Sequence, residues 1–357
     1  MSDVTVPGDL KADRPARVNP ARRFFASGAG RSIGLLIALL VLVAVGAVTA
    51  GENFMNANNM LVILRYASVI GVVAIGVTFV ITAGGIDLSV GSVLGLASIM
   101  ATIGAIQTAA SGFWPLMVFV AIATGVIAGL LNGLIIAYGK VVAFMATLAM
   151  LVAARGLAEL ISDRQTQIVD NQGFLSFFRS DLLGVSWVVW IFAIVALIGW
   201  FVLNRTTFGR RTVAIGGNAT AARLAGVNVK RHTVYLYMIA GACAGVAATM
   251  LLSRTTAGTS THGQLYELDA IAAVVVGGTL LIGGRGTIGG TVLGVLLFAT
   301  LTNVFTQNNL STSVQLVAKG IIIVIAVMLQ QRFANREAAS SSGPPAATVP
   351  SASPPVA

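Results

Sequence analysis

A carboxylate within an apolar stretch is the first feature of this sequence that suggests chemistry. Residues 84–95 place Asp87 between long runs that carry no other charge. A carboxylate at the bilayer centre costs about 3 kcal/mol on insertion scales. Gly84 and Gly85 can end a helix, and Asp87 or Ser89 can accept hydrogen bonds from the free N–H groups of the next helix. The pattern predicts a broken membrane helix whose polar residues either cap its second half or take part in gating and substrate passage.

A short helix outside the membrane is predicted from Asn218 to Gly226, within the segment 216–228. Asn218 is a good N-cap residue, most residues that follow are Ala, Leu or Arg, and Gly226 suits the C-terminal stop. Such a helix either anchors on the membrane surface or docks on a partner. Its single Arg223 and its small alanine face favour a groove on a partner protein, because a lipid anchor needs bulky apolar side chains. The residues predicted for this contact are Asn218, Ala221, Ala222, Arg223, Leu224 and Gly226.

Motifs for catalysis or metal binding are not found in the sequence. It has no Gly-x-x-x-x-Gly-Lys-Ser/Thr phosphate loop, so an ATPase that drives transport would be another chain. It has no nucleophile elbow, no metal-spaced His/Glu set and no paired catalytic carboxylates. His232 and His262 stand alone, and the single Cys243 excludes a disulfide or a thiolate metal site within one chain. We therefore expect no catalytic residue, metal or cofactor here, and a membrane enzyme has no motif in its favour.

The composition is that of a polytopic membrane protein of the inner-membrane type. The 357 residues have a mean hydropathy of +0.90 and only 10% of them are charged, which is too apolar for a soluble domain. The net charge of +10 does not indicate nucleic acid, because most basic residues lie in the tails and in a few connections between apolar runs.

Ten apolar runs predict an all-α fold of about ten transmembrane helices. They lie at about residues 33–50, 60–83, 88–107, 114–138, 141–161, 183–203, 233–252, 268–282, 288–305 and 314–329. The first run resembles a signal peptide cut after Ala50, but its length and the long tail before it favour a retained span. Residues 1–31 and 332–357 are predicted to be disordered cytoplasmic tails, and residues 32–331 form the predicted transmembrane domain.

Basic residues give the predicted orientation, with both termini in the cytoplasm. The N-terminal tail carries six basic residues, and so does the coupling loop at residues 204–232. The predicted outer connections contain more acidic than basic residues. Because basic loops stay on the cytoplasmic side, the charge pattern agrees with an even number of spans.

Further residues are interpreted as packing or charge-compensating features. Arg155 and Glu159 lie four apart on one helix face, where they are expected to neutralise each other. Lys319 is expected to extend its ammonium group towards the outer surface. A flat strip that lets a neighbouring helix approach closely is predicted from three glycines at four-residue spacing, Gly125, Gly129 and Gly133.

One short glycine pattern, the internal echo, occurs twice in the chain, 199 residues apart. Gly84-Gly85 and the run 91–95 have counterparts in Gly283-Gly284 and the run 290–294. Either the copies form parallel halves around a pathway, with a second broken helix at Gly283-Gly284, or they recur by chance in a chain with 40 glycines.

The segment around Gly84 and the segment 216–228 resemble those of the permease subunits of the ribose-type branch of bacterial ABC sugar importers. The resemblance covers about residues 53–331, and its motifs are specific when taken together. The matching stretches are residues 84–92, 130–133, 144–148, 154–156, 208–210, 216–229, 266–274, 277–279, 283–286 and 319–320.

The resemblance implies a homodimer in the bacterial inner membrane that performs no chemistry itself. Two copies of a cytoplasmic ABC ATPase would dock on the helix at 218–226, and a periplasmic binding protein would deliver a monosaccharide or related polyol. The residues assigned to the gate or pathway are Gly84, Gly85, Asp87, Ser89, Asn132, Glu267 and Asp269. For Glu267 and Asp269 two roles stay open, the outer mouth of the pathway or stabilisation of a helix N-terminus.

Two other transporter classes stay open at this point. An ion-coupled secondary transporter would use Asp87, Glu159 and Lys319 as an ion relay. An ABC permease of the branched-chain amino-acid type shares the general pattern, although residues 84–92 and 216–229 look more like the sugar branch. The chain departs from many sugar permeases at residues 141–143, where prolines are common, and around 162–167, which lacks the usual glycines.

Overall fold

A computed structural model of the chain describes residues 28–341, which are almost entirely helical, as predicted. Most of the two predicted tails, residues 1–27 and 342–357, lies outside the described residues. The helices are α1 (Gly28–Met55), α2 (Ala57–Thr82), α3 (Val90–Thr102), α4 (Gly104–Ala109), α5 (Pro115–Ala137), α6 (Ala143–Ser162), α7 (Gln172–Arg179), α8 (Trp187–Arg205), α9 (Thr207–Gly217), α10 (Ala219–Leu224), α11 (Val229–Thr255), α12 (Tyr266–Val276), α13 (Ile288–Gln307) and α14 (Thr312–Ser341). Two antiparallel pairs of short strands join β1 (Gln167–Ile168) to β4 (Ala257–Gly258) and β2 (Asp181–Leu182) to β3 (Val185–Ser186).

Seven helices within residues 28–341 are long and apolar enough to cross a membrane: α1, α2, α5, α6, α8, α11 and α13. The prediction of ten such helices is not confirmed. The third predicted span is divided between α3, with 13 residues, and the short α4, and the eighth contains only α12, with 11 residues. A helix of 11 residues is about 17 Å long, against a hydrocarbon core of about 30 Å. The extended backbone of Ile103 ends α3 early, and α12 stops before Gly278, whose φ is +91°.

Three helices form the centre of the bundle. In an 18-residue apolar stretch of each helix, 67% of the residues of α2, 72% of those of α11 and 56% of those of α13 are buried in the protein. In α1 only 6% are buried. Helix α2 is apolar on all sides along its second half, as a helix surrounded by protein should be. It packs against α11, α13, α12 and α8, so the segment that leads to Gly84 is held inside the protein.

The glycine strip of α5 packs directly on α11, which confirms the prediction. A Cβ on Gly133 would lie 2.7 Å from the Cα of Val234, and a Cβ on Gly125 would overlap the carbonyl oxygen of Gly241. Gly129 meets the backbone of α11 in the same way. The two helices are thus in backbone contact along their common length.

The connection between α11 and α12 runs antiparallel along α3 instead of staying at the end of the bundle. At the end of α3 that lies next to the β1–β4 pair, Ser98 donates to the carbonyl oxygen of Thr259. At the opposite end of α3, Gly263 lies against the backbone of Gly91. Irregular backbone at such depth needs polar partners. Arg155 of α6 supplies them, since its Nη1 donates to the carbonyl oxygen of Ser260 and, at 2.9 Å, to that of His262.

The predicted ion pair between Arg155 and Glu159 is therefore wrong. Glu159 pairs with Arg164 at 3.1 Å near the end of α6. The guanidinium of Arg155 turns towards the buried connection because two carbonyl groups there have to be satisfied away from water.

Candidate functional site

The helix break predicted at Gly84-Gly85 is present. Helix α2 ends at Thr82, and Gly84 takes a φ of +82°, which glycine adopts without strain. The N–H of Gly84 donates to the carbonyl oxygen of Ile81 at 2.8 Å, and that of Gly85 donates to Val80 at 3.0 Å. These bonds close the end of α2, and α3 begins only at Val90.

Asp87 lies in this break and is 2% exposed. Its Oδ1 accepts hydrogen bonds from the backbone N–H of Ser89 at 2.9 Å and from the hydroxyl of Ser89 at 2.6 Å. Asn132 of α5 donates from Nδ2 to Oγ of Ser89 at 2.9 Å. The structure therefore brings Asp87, Ser89 and Asn132 into one buried chain of hydrogen bonds.

The predicted capping of α3 takes a different form from the one expected. Ser89 is the N-cap residue, but its side chain makes no hydrogen bond to the helix, because its hydroxyl donates to Asp87. Asp87 in turn binds the N–H of the N-cap residue and not one inside α3. The buried Oδ1 of Asn132 has no hydrogen-bond partner within residues 28–341, so this chain of polar groups ends in a free acceptor.

Tyr237 also holds the break, and nothing in the sequence singled it out. Its hydroxyl donates to the carbonyl oxygen of Ile86 at 3.2 Å, and a Cβ on Gly85 would lie 2.8 Å from the same hydroxyl. Tyr237 lies eight residues into α11, about 12 Å along its axis. The break is thus nearer to the end of the bundle from which α11 starts, the end that carries α9 and α10.

A second break at Gly283-Gly284 is also present, and it touches the first. Gly283 and Gly284 have φ values of +87° and +79° in the connection between α12 and α13. The N–H of Gly284 donates to the carbonyl oxygen of Thr82 at 2.9 Å. The two copies of the internal echo are therefore in contact with each other.

The short helix predicted at residues 218–226 is confirmed as α10. The side chain of Asn218 accepts a hydrogen bond from the N–H of Ala221 at 2.9 Å, and Gly226 ends the segment with a φ of +82°. Ala222 faces the protein, whereas Arg223 is exposed and Leu224 is 85% exposed. The exposed face thus presents one large apolar side chain beside the predicted cation, in addition to small alanines.

Glu267 and Asp269 lie in the first turn of α12. This helix begins within the bundle, beside Gly91 of α3, and not at one end of the bundle. Glu267 is 9% exposed beside Gly91 of α3, and its Oε2 has no hydrogen-bond partner among the described residues. Asp269 forms an ion pair with Lys319 of α14 at 3.0 Å. The expectation that Lys319 extends towards the surface is wrong, because its ammonium group is needed by this carboxylate, and both side chains are largely buried.

This ion pair leads to a prediction for stability. Changing Lys319→Met leaves the carboxylate of Asp269 largely buried without a cation, and we expect the free energy of unfolding to fall by about 3 kcal/mol. The double variant Asp269→Asn, Lys319→Met removes both charges and should recover most of this loss. Thermal unfolding of the unaltered protein, of Lys319→Met, of Asp269→Asn and of the double variant measures the effect, and losses that simply add would contradict a direct pair.

Among the described residues, no group of three or more His, Cys, Asp and Glu is placed to hold a metal ion. The polar residues of the two helix breaks instead lie within a bundle of long apolar helices. Buried breaks of this kind are typical of membrane proteins that move a solute, so fold and site together define a polytopic transport protein.

Comparison with known proteins identifies the family. A profile described as branched-chain amino acid transport system / permease component matches residues 59–327. Ribose import permease protein RbsC of Bacillus subtilis is 40% identical over 87% of this chain and 96% of its own length. The corresponding protein of Escherichia coli K12 is 38% identical, over 87% and 97%. Xylose transport system permease protein XylH of Haemophilus influenzae is 32% identical, over 83% and 94%.

The chain belongs to this family of transport permeases. The predicted resemblance to ribose-type sugar importers is confirmed, and so is a multi-pass permease of the inner membrane rather than an enzyme. No solved structure matches the chain.

Proposed function

We propose that this chain is the membrane subunit of an ATP-driven importer for a monosaccharide or related polyol of the ribose, xylose or inositol type. It moves the sugar from periplasm to cytoplasm by alternating access. The observation that carries the proposal is the identity of 38–40% with ribose import permeases over nearly their whole length. The same relatives favour the sugar branch over an amino-acid substrate, although the family profile bears the amino-acid description.

The proposed topology has ten crossings, with both termini in the cytoplasm. The three remaining crossings are α3 and α12, whose short helices are largely buried in protein, and α14, whose apolar part is Thr312–Ile325. Two observations support this arrangement. Residues 84, 216 and 283, from three predicted inner connections, lie together, and residues 167 and 258, from two predicted outer connections, are paired next to residue 102, near the outer end of the third predicted span. The coupling loop at 204–232, with six basic residues, belongs to the first of these ends.

An ABC ATPase is the proposed partner of α10. Arg223 and Leu224 project from the protein next to each other, and a short rod with one apolar and one cationic side chain suits a groove on a protein. The other proposed partners are a periplasmic sugar-binding protein, a second copy of this chain and the surrounding lipid. In this scheme the chain contributes two packings of similar free energy, which the ATPase and the loaded binding protein favour in turn.

The broken helices are the proposed gate of this pathway. Gly84, Gly85, Asp87, Ser89 and Asn132 would form its inner part, because Asp87, Ser89 and Asn132 are buried together directly after the two glycines that end α2. Glu267 and Asp269 would form its outer part, at the start of α12.

An ion relay of Asp87, Glu159 and Lys319 is not favoured by their positions. Glu159 pairs with Arg164 and Lys319 pairs with Asp269, while Asp87 binds Ser89. No hydrogen bond joins any two of the three residues in the described part of the chain.

Reconstitution tests the proposed function. Vesicles that contain the permease with its ATPase, loaded with ATP and supplied with the binding protein and labelled ribose, xylose or inositol, should accumulate one of these sugars. Vesicles without ATP, or with the permease alone under an ion gradient, should not. Uptake by the isolated chain under an ion gradient would contradict the proposal and support a secondary transporter.

A further inference from the structure

Three parts of the chain meet at a single glycine junction, defined here as Thr82, Gly84, Gly216, Gly283 and Gly284. A Cβ on Gly283 would lie 2.9 Å from the carbonyl oxygen of Gly216 and 2.8 Å from the backbone nitrogen of Gly84. A Cβ on Gly216 would overlap the carbonyl oxygen of Thr82 and the backbone nitrogen of Gly284. Both helix breaks and the last turn of α9 are thus in mutual backbone contact.

The parts of the junction touch each other through backbone atoms, so one part cannot move without displacing the others. Side chains in contact can change rotamer and absorb a small displacement, but backbone atoms in contact cannot. The hydrogen bond of 2.9 Å from the N–H of Gly284 to the carbonyl oxygen of Thr82 ties the second break to the end of α2. Gly216 lies against both groups of this hydrogen bond, so a shift of α9 has to displace the end of α2 and the second break.

Helix α9 continues almost directly into α10. It ends at Gly217, and Asn218 serves both as the C-cap of α9 and as the N-cap of α10. One residue therefore separates the element that we propose as the docking site of the ATPase from the element that touches both breaks. No other described segment joins α10 to the breaks over so short a length of chain.

We propose that Gly216 is a positioning residue that transmits a displacement of α10 to both helix breaks at once. This inference rests on the proposed function, because it takes α10 to be the part of the permease that the ATPase moves. Its consequence is that the two breaks open and close together, with the glycine junction as their common support. Glycine is required at 216 because any side chain would separate the three backbones.

The chain offers a matched control for this proposal in the neighbouring residue. A Cβ on Gly217 would meet nothing within 4 Å, although Gly217 has the same residue type and lies in the same turn of α9. Gly216→Ala and Gly217→Ala are compared in the complete importer, reconstituted with its ATPase and binding protein. For Gly216→Ala we expect the number of sugar molecules imported per ATP hydrolysed to fall about tenfold or more, with ATPase copurification unchanged. Gly217→Ala should resemble the unaltered permease in both measurements.

The coupling ratio separates positioning from a general loss of structure, which would lower the yield of assembled complex as well. If Gly216→Ala cannot be recovered from membranes, Gly286→Ala replaces it. A Cβ on Gly286 would overlap the side chain of Thr82, to which its three nearest atoms belong, at the edge of the junction. Gly286→Ala should lower the coupling ratio, and the double variant Gly286→Ala, Thr82→Gly should restore it because the overlapping atoms are gone.

The outcomes distinguish this inference from the proposed function. A Gly216→Ala importer, or in its place a Gly286→Ala importer, with an unchanged coupling ratio would overturn the role of the junction and leave the importer intact. Loss of coupling in Gly217→Ala to the same degree would overturn it too, because the effect would not depend on the contact. Failure of the unaltered permease to import sugar with ATP would instead overturn the proposed function itself.

Discussion

Changing Arg223→Glu is expected to abolish ATPase copurification and sugar uptake together. Arg223 and Leu224 form the projecting face of α10, and Leu224 is 85% exposed in the isolated permease. The variant replaces a cation at the centre of a small docking element by a carboxylate. This change should weaken binding of the ATPase about a hundredfold. Insertion into the membrane should not change, because Arg223 is exposed on α10 and no hydrogen bond or ion pair holds its side chain in the described part of the chain. Pull-down of the ATPase with the tagged permease measures the first effect, and uptake of labelled sugar measures the second.

Arg210→Glu is the matched control for this prediction. Arg210 is exposed on α9 in the same basic loop, so the variant makes the same charge reversal outside α10. We expect its copurification to change by less than about threefold, as for a charge at the rim of an interface. Normal uptake by Arg223→Glu, or equal losses in the two variants, would contradict docking on α10.

A second large effect is expected at the contact between α5 and α11. Changing Gly125→Val places three carbon atoms where the carbonyl group of Gly241 already lies, so the two helices have to separate. Overpacking against backbone should lower the free energy of unfolding by about 3 kcal/mol or more. Because α11 also holds the first helix break through Tyr237, we expect most of the folded permease to be lost. The yield of monodisperse protein and its thermal unfolding in detergent measure this loss.

Gly156→Val provides the control, in the neighbouring helix α6. A Cβ on Gly156 would meet nothing within 4 Å, so the same substitution in another long membrane helix adds no contact. We expect its yield to stay close to that of the unaltered protein. If both valine variants were equally stable, the close approach of α5 and α11 would be in doubt.

The features that the sequence predicted well depend on local chemistry. The break at Gly84-Gly85, the helix that Asn218 caps and the glycine strip of α5 each follow from one residue type at a defined spacing. Glycine permits a positive φ, asparagine caps a helix, and a Gly-x-x-x-Gly pattern permits close approach. No partner elsewhere in the chain can easily reverse these preferences.

The features that the sequence did not predict depend on partners that are distant along the chain. Arg155 was expected to bind Glu159, one helical turn away, but it binds carbonyl groups of residues 260 and 262. Lys319 pairs with Asp269 of another helix, and Tyr237 binds the first break. A sequence without contacts cannot rank such partners, so Arg155 was assigned to its nearest carboxylate, Lys319 to the outer surface, and Tyr237 to no role.

The lengths of the third and eighth predicted helices were overestimated for a related reason. An apolar run predicts burial, but it does not distinguish lipid from protein as the surroundings. Residues 268–282 are apolar enough for a span, yet α12 stops at Val276 and the chain turns towards the glycine junction. Where protein supplies the hydrogen-bond partners, the helix has no need to cover the whole bilayer.

The accessibility of α10 is the most direct test of the account, which holds that the ATPase drives this permease from the cytosolic side through α10. The only native cysteine, Cys243, is buried, so Thr220→Cys, at an exposed position of α10, supplies a single accessible thiol and leaves Arg223 in place. In sealed vesicles of known orientation, a membrane-impermeant maleimide should label this thiol only from the cytosolic side, and added ATPase should protect it. Labelling from the periplasmic side, or labelling that the ATPase does not reduce, would contradict the account.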